Sequence, residues 1–160
     1  MKKSAVSVFL VAAALLQVSV LDYLKVLGVK PDLLLVGVFW ASIVFQQREA
    51  LALSAGAGIL KDIFTPYSFG TNTLLFALFS LMIIRLGKEI SIDSNPVRFI
   101  VLYIVAFCNA TATRFIFFFL GNIVPLHVFL RVAFLGSLYT ALTALLLFRV
   151  LRLSKKQKAA

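Results

Sequence analysis

The sequence contains very few of the residues from which catalytic and metal sites are usually built. Its single cysteine, Cys108, forms no disulfide within the chain and is too few for a metal cluster. Its one histidine, His127, has no second histidine, cysteine or carboxylate at metal-ligand spacing. We find no nucleophile–base pair, no phosphate-binding loop and no paired carboxylates among the six acidic residues. We therefore expect no catalytic residue, metal or cofactor, and predict that the protein is not an enzyme.

Charge is also scarce. Only 14% of the 160 residues are charged, whereas 62% are hydrophobic, and the mean hydropathy is +1.04. A soluble domain is usually about 25% charged and about 45–50% apolar. These values indicate an integral membrane protein. The length allows a single transmembrane domain, 1–160, of about six helices of about 20 residues each, with no room for a soluble domain.

The net charge of +10 comes from 16 basic residues that punctuate the apolar runs. They form no compact patch, so we expect no nucleic-acid partner and interpret them as topology signals. One side of the membrane collects eleven of them: Lys2, Lys3, Arg48, Arg85, Lys88, Arg98, Arg149, Arg152, Lys155, Lys156 and Lys158. The other side collects Lys25 and Lys30, with Lys61, Arg114 and Arg131 embedded. The excess predicts that both termini are cytoplasmic, which requires an even number of spans.

Apolar runs and helix breakers predict an all-α fold. The expected helices are about 4–21, 32–46, 50–64, 73–86, 97–120 and 126–151. The run at the N-terminus is similar to a signal peptide, but no small-residue cleavage site follows it, so we predict an uncleaved first helix. Pro31 and Asp32 suit the first turn of the second helix, and Pro66 and Gly70 mark a turn.

Several polar residues approach the predicted outer surface of the membrane. At about 1.5 Å per residue, Lys61 and Asp62 lie roughly 18–20 Å from the cytoplasmic end of their helix, and Arg114 about 25 Å. Arg131 lies about one turn below the outer surface in the sixth helix, and Asn72 opens the fourth helix on the same side. We expect Asp62 to face the bundle and to pair with Arg114 or Arg131, which would lock its helix to the fifth or sixth. Lys61 should snorkel outward. A ligand site and an arginine that reaches a lipid phosphate are the alternatives.

Small residues recur at helical spacing where helices are expected to pack. Ala50, Ser54, Gly58 and Asp62 are spaced four apart, with Ala52 and Gly56 as a neighbouring ridge. Such residues allow close approach of helices in lipid, either within this chain or with a partner protein.

The fifth predicted helix carries two further features. Asn109 and Thr113 lie one turn apart and are candidates for hydrogen bonds across helices. The phenylalanines at 115 and 117–119 are interpreted as lipid-facing or interface residues.

The stretch PDLLLVGVFWASIVFQQREALALSAGAGILKDIFTPYSFGTN resembles the rod shape-determining MreD family. The resemblance rests on the opening Pro31-Asp32, on Gly58-x-x-x-Asp62, and on the turn that ends at Gly70. Lys61 and the Pro66-Tyr67 pair depart from the small residues typical of the family there. The resemblance implies a fold of about six transmembrane helices, similar to that of the substrate-binding subunits of energy-coupling-factor transporters.

The resemblance also implies a function. Members of this family are non-enzymatic components of the bacterial elongation machinery in the inner membrane. They work with the bitopic protein MreC and, through it, with a class B penicillin-binding protein, RodA and MreB. The expected role is the organisation of peptidoglycan synthesis, and hence of rod shape.

Two other functions remain open. The chain is an alternative candidate for the substrate-binding subunit of an energy-coupling-factor transporter for a vitamin or metabolite. Against this, its first predicted helix lacks the alanine pair four residues apart that such subunits use for docking. A protein that binds or flips membrane lipid is the other alternative, because a basic outer cluster suits an anionic headgroup.

Overall fold

The structure is a computed structural model that describes residues 29–64, 70–90, 94–121 and 125–157, together with Ala12 and Ile92, with side chains as far as Arg149. Every element in these ranges is helical, which confirms the predicted all-α class for this part of the chain. The elements are α1 (Leu33–Val44), α2 (Gln47–Ile63), α3 (Thr71–Glu89), α4 (Asn95–Phe119), α5 (Leu126–Arg131), a π-helical segment (Val132–Gly136) and α6 (Ser137–Gln157). The helix predicted at 4–21 and the turn at 65–69 lie outside the described residues.

The observed helices extend into polar sequence that the hydropathy pattern assigned to loops. Helix α2 begins at Gln47 rather than near 50, and α3 ends at Glu89 rather than near 86. The added turns contain Glu49 near the start of α2 and Lys88 near the end of α3. These charges stabilise the helix ends at which they lie. Hydropathy therefore underestimates the lengths of α2 and α3. For α1 it overestimates the length, since the helix predicted over 32–46 ends at Val44.

Three helices are long and apolar enough to cross a membrane: Thr71–Glu89, Asn95–Phe119 and Leu126–Arg149. The last of these is continuous through α5, the π-helical segment and α6. Helix α1 is equally apolar but has only 12 residues. The described residues are thus consistent with the predicted membrane protein.

Helix α1 forms the centre of the bundle. It contacts α2, α3, α4 and α6, and its side chains are almost completely buried from Leu34 to Ala41, apart from a partly exposed Trp40. A helix that is apolar on all sides is expected in such a position. Its cytoplasmic half, in the predicted topology, is joined to α3 by a hydrogen bond of 2.9 Å between the hydroxyl groups of Ser42 and Ser80.

The small residues of α2 allow it to pack closely on α3. Ala50, Ser54, Gly58 and Asp62 are all buried. A Cβ atom added at Gly58 would lie 2.3 Å from Thr73 Cα, so no larger residue fits there without moving the backbone. The neighbouring ridge is different, since Ala52 is exposed and a Cβ at Gly56 would meet no atom within 4 Å. Of the two ridges, the first makes a close contact with described residues and the second does not.

The long last helix is interrupted by the π-helical segment, which the sequence pattern did not indicate. Within this segment, Phe134 packs on Phe107 of α4 with ring centroids 5.1 Å apart. Ser137 directly follows it and donates from Oγ to the carbonyl oxygen of Ala133, 2.5 Å away. Single π-helical turns inside α-helices occur frequently at functional sites.

Candidate functional site

Polar side chains gather at one end of the bundle, where α1 begins and α2 ends, and we call this the polar end. They form two separate groups. The first is the Asp62 lock, made by Asp62, Asn72 and Thr73 between α2 and α3. The second is the Arg114 cavity, between the start of α1 and the helices α4, α5 and α6.

In the Asp62 lock, one buried carboxylate caps the next helix. Asp62 Oδ1 accepts hydrogen bonds from the backbone N–H of Asn72 at 3.0 Å and from its Nδ2 at 2.9 Å. Oδ2 accepts from the backbone N–H of Thr73 at 3.0 Å and from its Oγ1 at 2.7 Å. The first N–H groups of a helix have no partner within it and form its positive end. A carboxylate at this position supplies both the acceptors and the negative charge.

The expected ion pair of Asp62 with Arg114 or Arg131 is therefore wrong. Asp62 does face the bundle, with 1% of its surface exposed, but within the described residues it pairs with neither arginine. A carboxylate has about four acceptor sites, and the first turn of α3 supplies four donors. Asp62 thus locks α2 to α3, and not to either of the helices that carry the arginines.

Asn72 contributes two donors to the lock but keeps an unsatisfied acceptor. It is 2% exposed, and its Oδ1 has no hydrogen-bond partner among the residues that the structure describes. Gly70, the residue before the first turn of α3, has φ +91°, a left-handed conformation that favours glycine.

Lys61 turns away from the lock and belongs to the Arg114 cavity. Its Nζ forms an ion pair with Asp32 and lies 4.9 Å from the centre of the Phe76 ring. The prediction that Lys61 snorkels outward is therefore wrong, because a carboxylate and an aromatic face are available inside the bundle.

Asp32 joins three helices at once. Its Oδ1 accepts from the backbone N–H of Leu35 at 3.1 Å and so caps α1. The sequence placed Pro31 and Asp32 within the first turn, whereas the helix begins at Leu33. The backbone N–H of Asp32 donates to Thr140 Oγ1 on α6, also at 3.1 Å. Together with the ion pair to Lys61, these contacts tie α1 to both α2 and α6.

The Arg114 cavity has a volume of about 320 Å³. Its polar lining residues include Asp32, Lys61, Asn109, Thr113, Arg114 and Thr140. Its apolar wall is formed chiefly by Phe117 of α4, Val128 and Phe129 of α5, and Val132 of the π-helical segment. The volume and the mixed lining resemble those of small-molecule sites, which are mostly apolar with a few convergent polar groups.

Two polar groups of this cavity lack a partner within the described part of the chain. The guanidinium group of Arg114 lies 5.7 Å from the centre of the Phe129 ring and forms no ion pair with a described residue. Asn109 is 6% exposed, and no described residue donates a hydrogen bond to its Oδ1. A buried acceptor without a donor costs free energy, so its presence needs an explanation.

The other predicted residues lie elsewhere. Ser54 and Gly58 belong to the packed ridge of α2, and Ser54 Oγ donates to the carbonyl oxygen of Ala50 at 2.7 Å. Arg131 is exposed and does not line the cavity. Of the candidate residues, the cavity therefore unites Lys61, Asn109 and Arg114, while Asp62 and Asn72 form the lock.

Sequence reasoning missed three residues of the cavity. Asp32 was assigned only a favourable position at the positive end of its helix, although it and Lys61 were both placed near the outer side of the membrane. Phe117 was interpreted as lipid-facing or part of an interface, and Thr140 was not singled out as a residue of the site. No local pattern separates Phe117 from its neighbours Phe118 and Phe119, which are exposed.

Comparison with protein-family models, with curated proteins and with solved structures finds no match for this chain. Among the residues that the structure describes, no group of three or more histidine, cysteine, aspartate or glutamate side chains is placed to hold a metal ion.

Proposed function

We propose that this protein is a non-enzymatic membrane scaffold of the bacterial cell-elongation complex. In this role it spans the inner membrane about six times, with both termini in the cytoplasm, and binds an MreC-like bitopic protein. Through that protein it reaches a class B penicillin-binding protein, RodA and MreB. It thereby helps to organise peptidoglycan synthesis and to maintain rod shape.

The observation that supports this proposal is the structural use of the residues behind the MreD resemblance. Asp32 caps α1 and binds Lys61, Gly58 admits the backbone of α3, and Asp62 caps α3. Gly70 makes the left-handed turn between them. These residues join helices α1, α2 and α3 at the polar end. A scaffold depends on such joints, because partners can bind only helix faces that are held in a fixed arrangement.

The surfaces left for partners are outward helix faces. Helix α3, for example, exposes Leu74, Leu78 and Met82 at intervals of four residues. In a membrane, such a face meets acyl chains or the helix of another protein. A chain with short connections between its helices offers little else for binding.

The proposal is tested by purifying the tagged full-length chain from its native membrane in detergent and identifying co-purified proteins by mass spectrometry. We expect an MreC-like protein together with the penicillin-binding protein and RodA. A Gly58→Ala variant should lose these partners and rod shape, whereas Gly56→Ala should keep both. Recovery of none of these proteins by the unmodified chain would contradict the proposal.

The Arg114 cavity favours a second candidate, the substrate-binding subunit of an energy-coupling-factor transporter. Such a subunit needs a pocket with convergent polar groups, and this cavity has both the volume and the lining. The same purification separates the two functions. Recovery of a transmembrane coupling protein with its ATPases, in place of the MreC-like protein, would favour uptake.

A further inference from the structure

We propose that the Arg114 cavity binds an anionic lipid, with a phosphate group at Arg114 and the acyl chain along the apolar wall of α5 and the π-helical segment. This proposal goes beyond the scaffold function and does not depend on the identity of the protein partners. It rests on the charge of Arg114, on the unsatisfied amide of Asn109, and on the apolar rim of the cavity.

Arg114 is a cation that lacks a counterion in the described part of the chain. It lies within Asn95–Phe119, one of the helices able to cross a membrane, and it lines the cavity. Charged side chains in such helices are costly and normally pair with another group or face a water-filled space. Lys61 in the same cavity is balanced by Asp32. Among the described residues, Arg114 forms no ion pair and lies over the face of Phe129, which leaves its planar donor group available for a phosphate.

Asn109 adds a second requirement for a ligand. It lies on the same helix as Arg114, lines the same cavity, and is more than nine-tenths buried. Its Oδ1 has no donor within the described residues. A hydroxyl group of a glycerol headgroup would supply that donor, because an alcohol can donate to an amide oxygen while its phosphate binds the arginine.

The apolar wall explains why we favour a lipid over a soluble anion. Val132 lines the cavity and is also 40% exposed on the surface of the Leu126–Arg149 helix. In a membrane that exposed surface faces acyl chains, so the wall of the cavity continues into the lipid phase. A volume of about 320 Å³ holds a headgroup and the first carbons of a chain, and the remainder of the chain would leave along this wall.

The π-helical segment shapes this side of the cavity. Val132 and Gly136, its first and last residues, both line the cavity. A Cβ at Gly136 would lie 3.0 Å from Val29 Cγ1, so this glycine lets the segment approach the residues before α1. The frequent occurrence of π-helical turns at functional sites agrees with a binding role for this region.

Binding is measured with the full-length chain in dodecyl maltoside micelles, by native mass spectrometry and by calorimetric titration. The probes are dioctanoyl phosphatidylglycerol, dioctanoyl phosphatidylcholine and inorganic phosphate. We expect phosphatidylglycerol to bind at least about tenfold more tightly than either of the others, because it alone combines a net negative charge with acyl chains. Equal affinity for phosphatidylcholine would contradict the proposed selectivity for an anionic headgroup. Equal affinity for inorganic phosphate would contradict the proposal that the ligand is a lipid.

Two matched variants locate the site. Arg114→Gln should weaken phosphatidylglycerol binding by about tenfold or more, the expected cost of a lost charge-assisted hydrogen bond. Arg131→Gln removes an equal charge outside the cavity and should change affinity by less than about twofold. Equal effects of the two variants would overturn the proposal.

A third variant keeps the test decisive if Arg114→Gln fails to fold. Ala110→Phe places a large side chain into the cavity while Arg114 stays in place. It should abolish phosphatidylglycerol binding with no loss of helical circular dichroism in lipid-free micelles. Unchanged binding by a folded Ala110→Phe protein would show that the lipid lies elsewhere.

Discussion

Lys61 and Asp62 are consecutive residues, yet they belong to two polar regions of different character. In the Asp62 lock, each carboxylate oxygen has two donors and the side chain is almost completely buried. In the Arg114 cavity, an ion pair lies beside an arginine and an amide oxygen that lack described partners. The comparison teaches that polar content alone does not identify a binding site. Among the described residues, the lock leaves only the amide oxygen of Asn72 without a donor and encloses no cavity, whereas the unpaired groups of Asn109 and Arg114 line an open volume.

The two regions separate because of helix geometry. Successive residues on an α-helix point about 100° apart, so Asp62 meets the first turn of α3 while Lys61 meets Asp32 at the start of α1. Two consecutive residues of α2 thus contact two different helices. Substitutions that disrupt each contact separately should show whether the lock is structural and whether the cavity is available for a ligand.

The largest effect is expected where α2 touches α3 just inside the lock. Gly58→Ala should destabilise the protein by roughly 3 kcal/mol or more, because its Cβ would overlap the backbone of Thr73. Gly56→Ala, two residues earlier, should be neutral or stabilising by up to about 1 kcal/mol, since it gains helix propensity without a clash. Thermal unfolding in detergent, followed by Trp40 fluorescence, measures both. Similar losses for the two variants would contradict the close contact.

Removing the charge of the lock should have the next largest effect. Asp62→Asn replaces an acceptor oxygen by an NH2 group that faces donors of Asn72 or Thr73, and we expect a loss of about 2–3 kcal/mol. Glu89→Gln at the exposed end of α3 is the control and should change stability by less than about 0.5 kcal/mol. The measurement is unfolding by titration with sodium dodecyl sulfate. If Asp62→Asn changed the free energy of unfolding as little as Glu89→Gln does, the lock would not be a structural contact.

The ion pair of the cavity should contribute less. A double-mutant cycle of Lys61→Met and Asp32→Asn should give a coupling free energy of about 1–2 kcal/mol. Asparagine is chosen because it caps a helix about as well as aspartate, so the cap on α1 is retained. The coupling is read from the four unfolding midpoints under the same detergent conditions. A coupling near zero would mean that Lys61 and Asp32 do not act as a pair.

The smallest effect is expected at the contact of α1 with α6. Thr140→Val removes the acceptor of the Asp32 backbone N–H and should cost about 1 kcal/mol. Thr143→Val, one turn on, loses only a bond to the carbonyl oxygen of Tyr139 in its own helix and should cost less. Hydrogen exchange of the Asp32 amide, by mass spectrometry, gives a local readout. Exchange that is unchanged in Thr140→Val would exclude the bond as a significant contact.

Much of the architecture follows from local sequence. The helical class, the favourable position of Asp32 near the start of α1 and the orientation of Asp62 toward the bundle were predicted from hydropathy, from Pro31-Asp32 and from spacing along the helix. The gathering of Lys61 and Arg114 at one end was also predicted, from the rise per residue. Arg131 was placed at the same depth, yet it is exposed outside the cavity. Depth along a helix is readable from sequence, whereas the direction in which the side chain points is not.

The sequence by itself determined which segments form apolar helices and how deep their polar residues lie, because hydropathy and helix rise are properties of the chain alone. Only the tertiary structure decided that Asp62 binds the first turn of α3, that Lys61 binds Asp32, and that Arg114 lines a cavity. Those outcomes depend on how each helix is rotated about its axis. That rotation is set by the close contact at Gly58, the turn at Gly70 and the π-helical segment, where neighbouring helices meet.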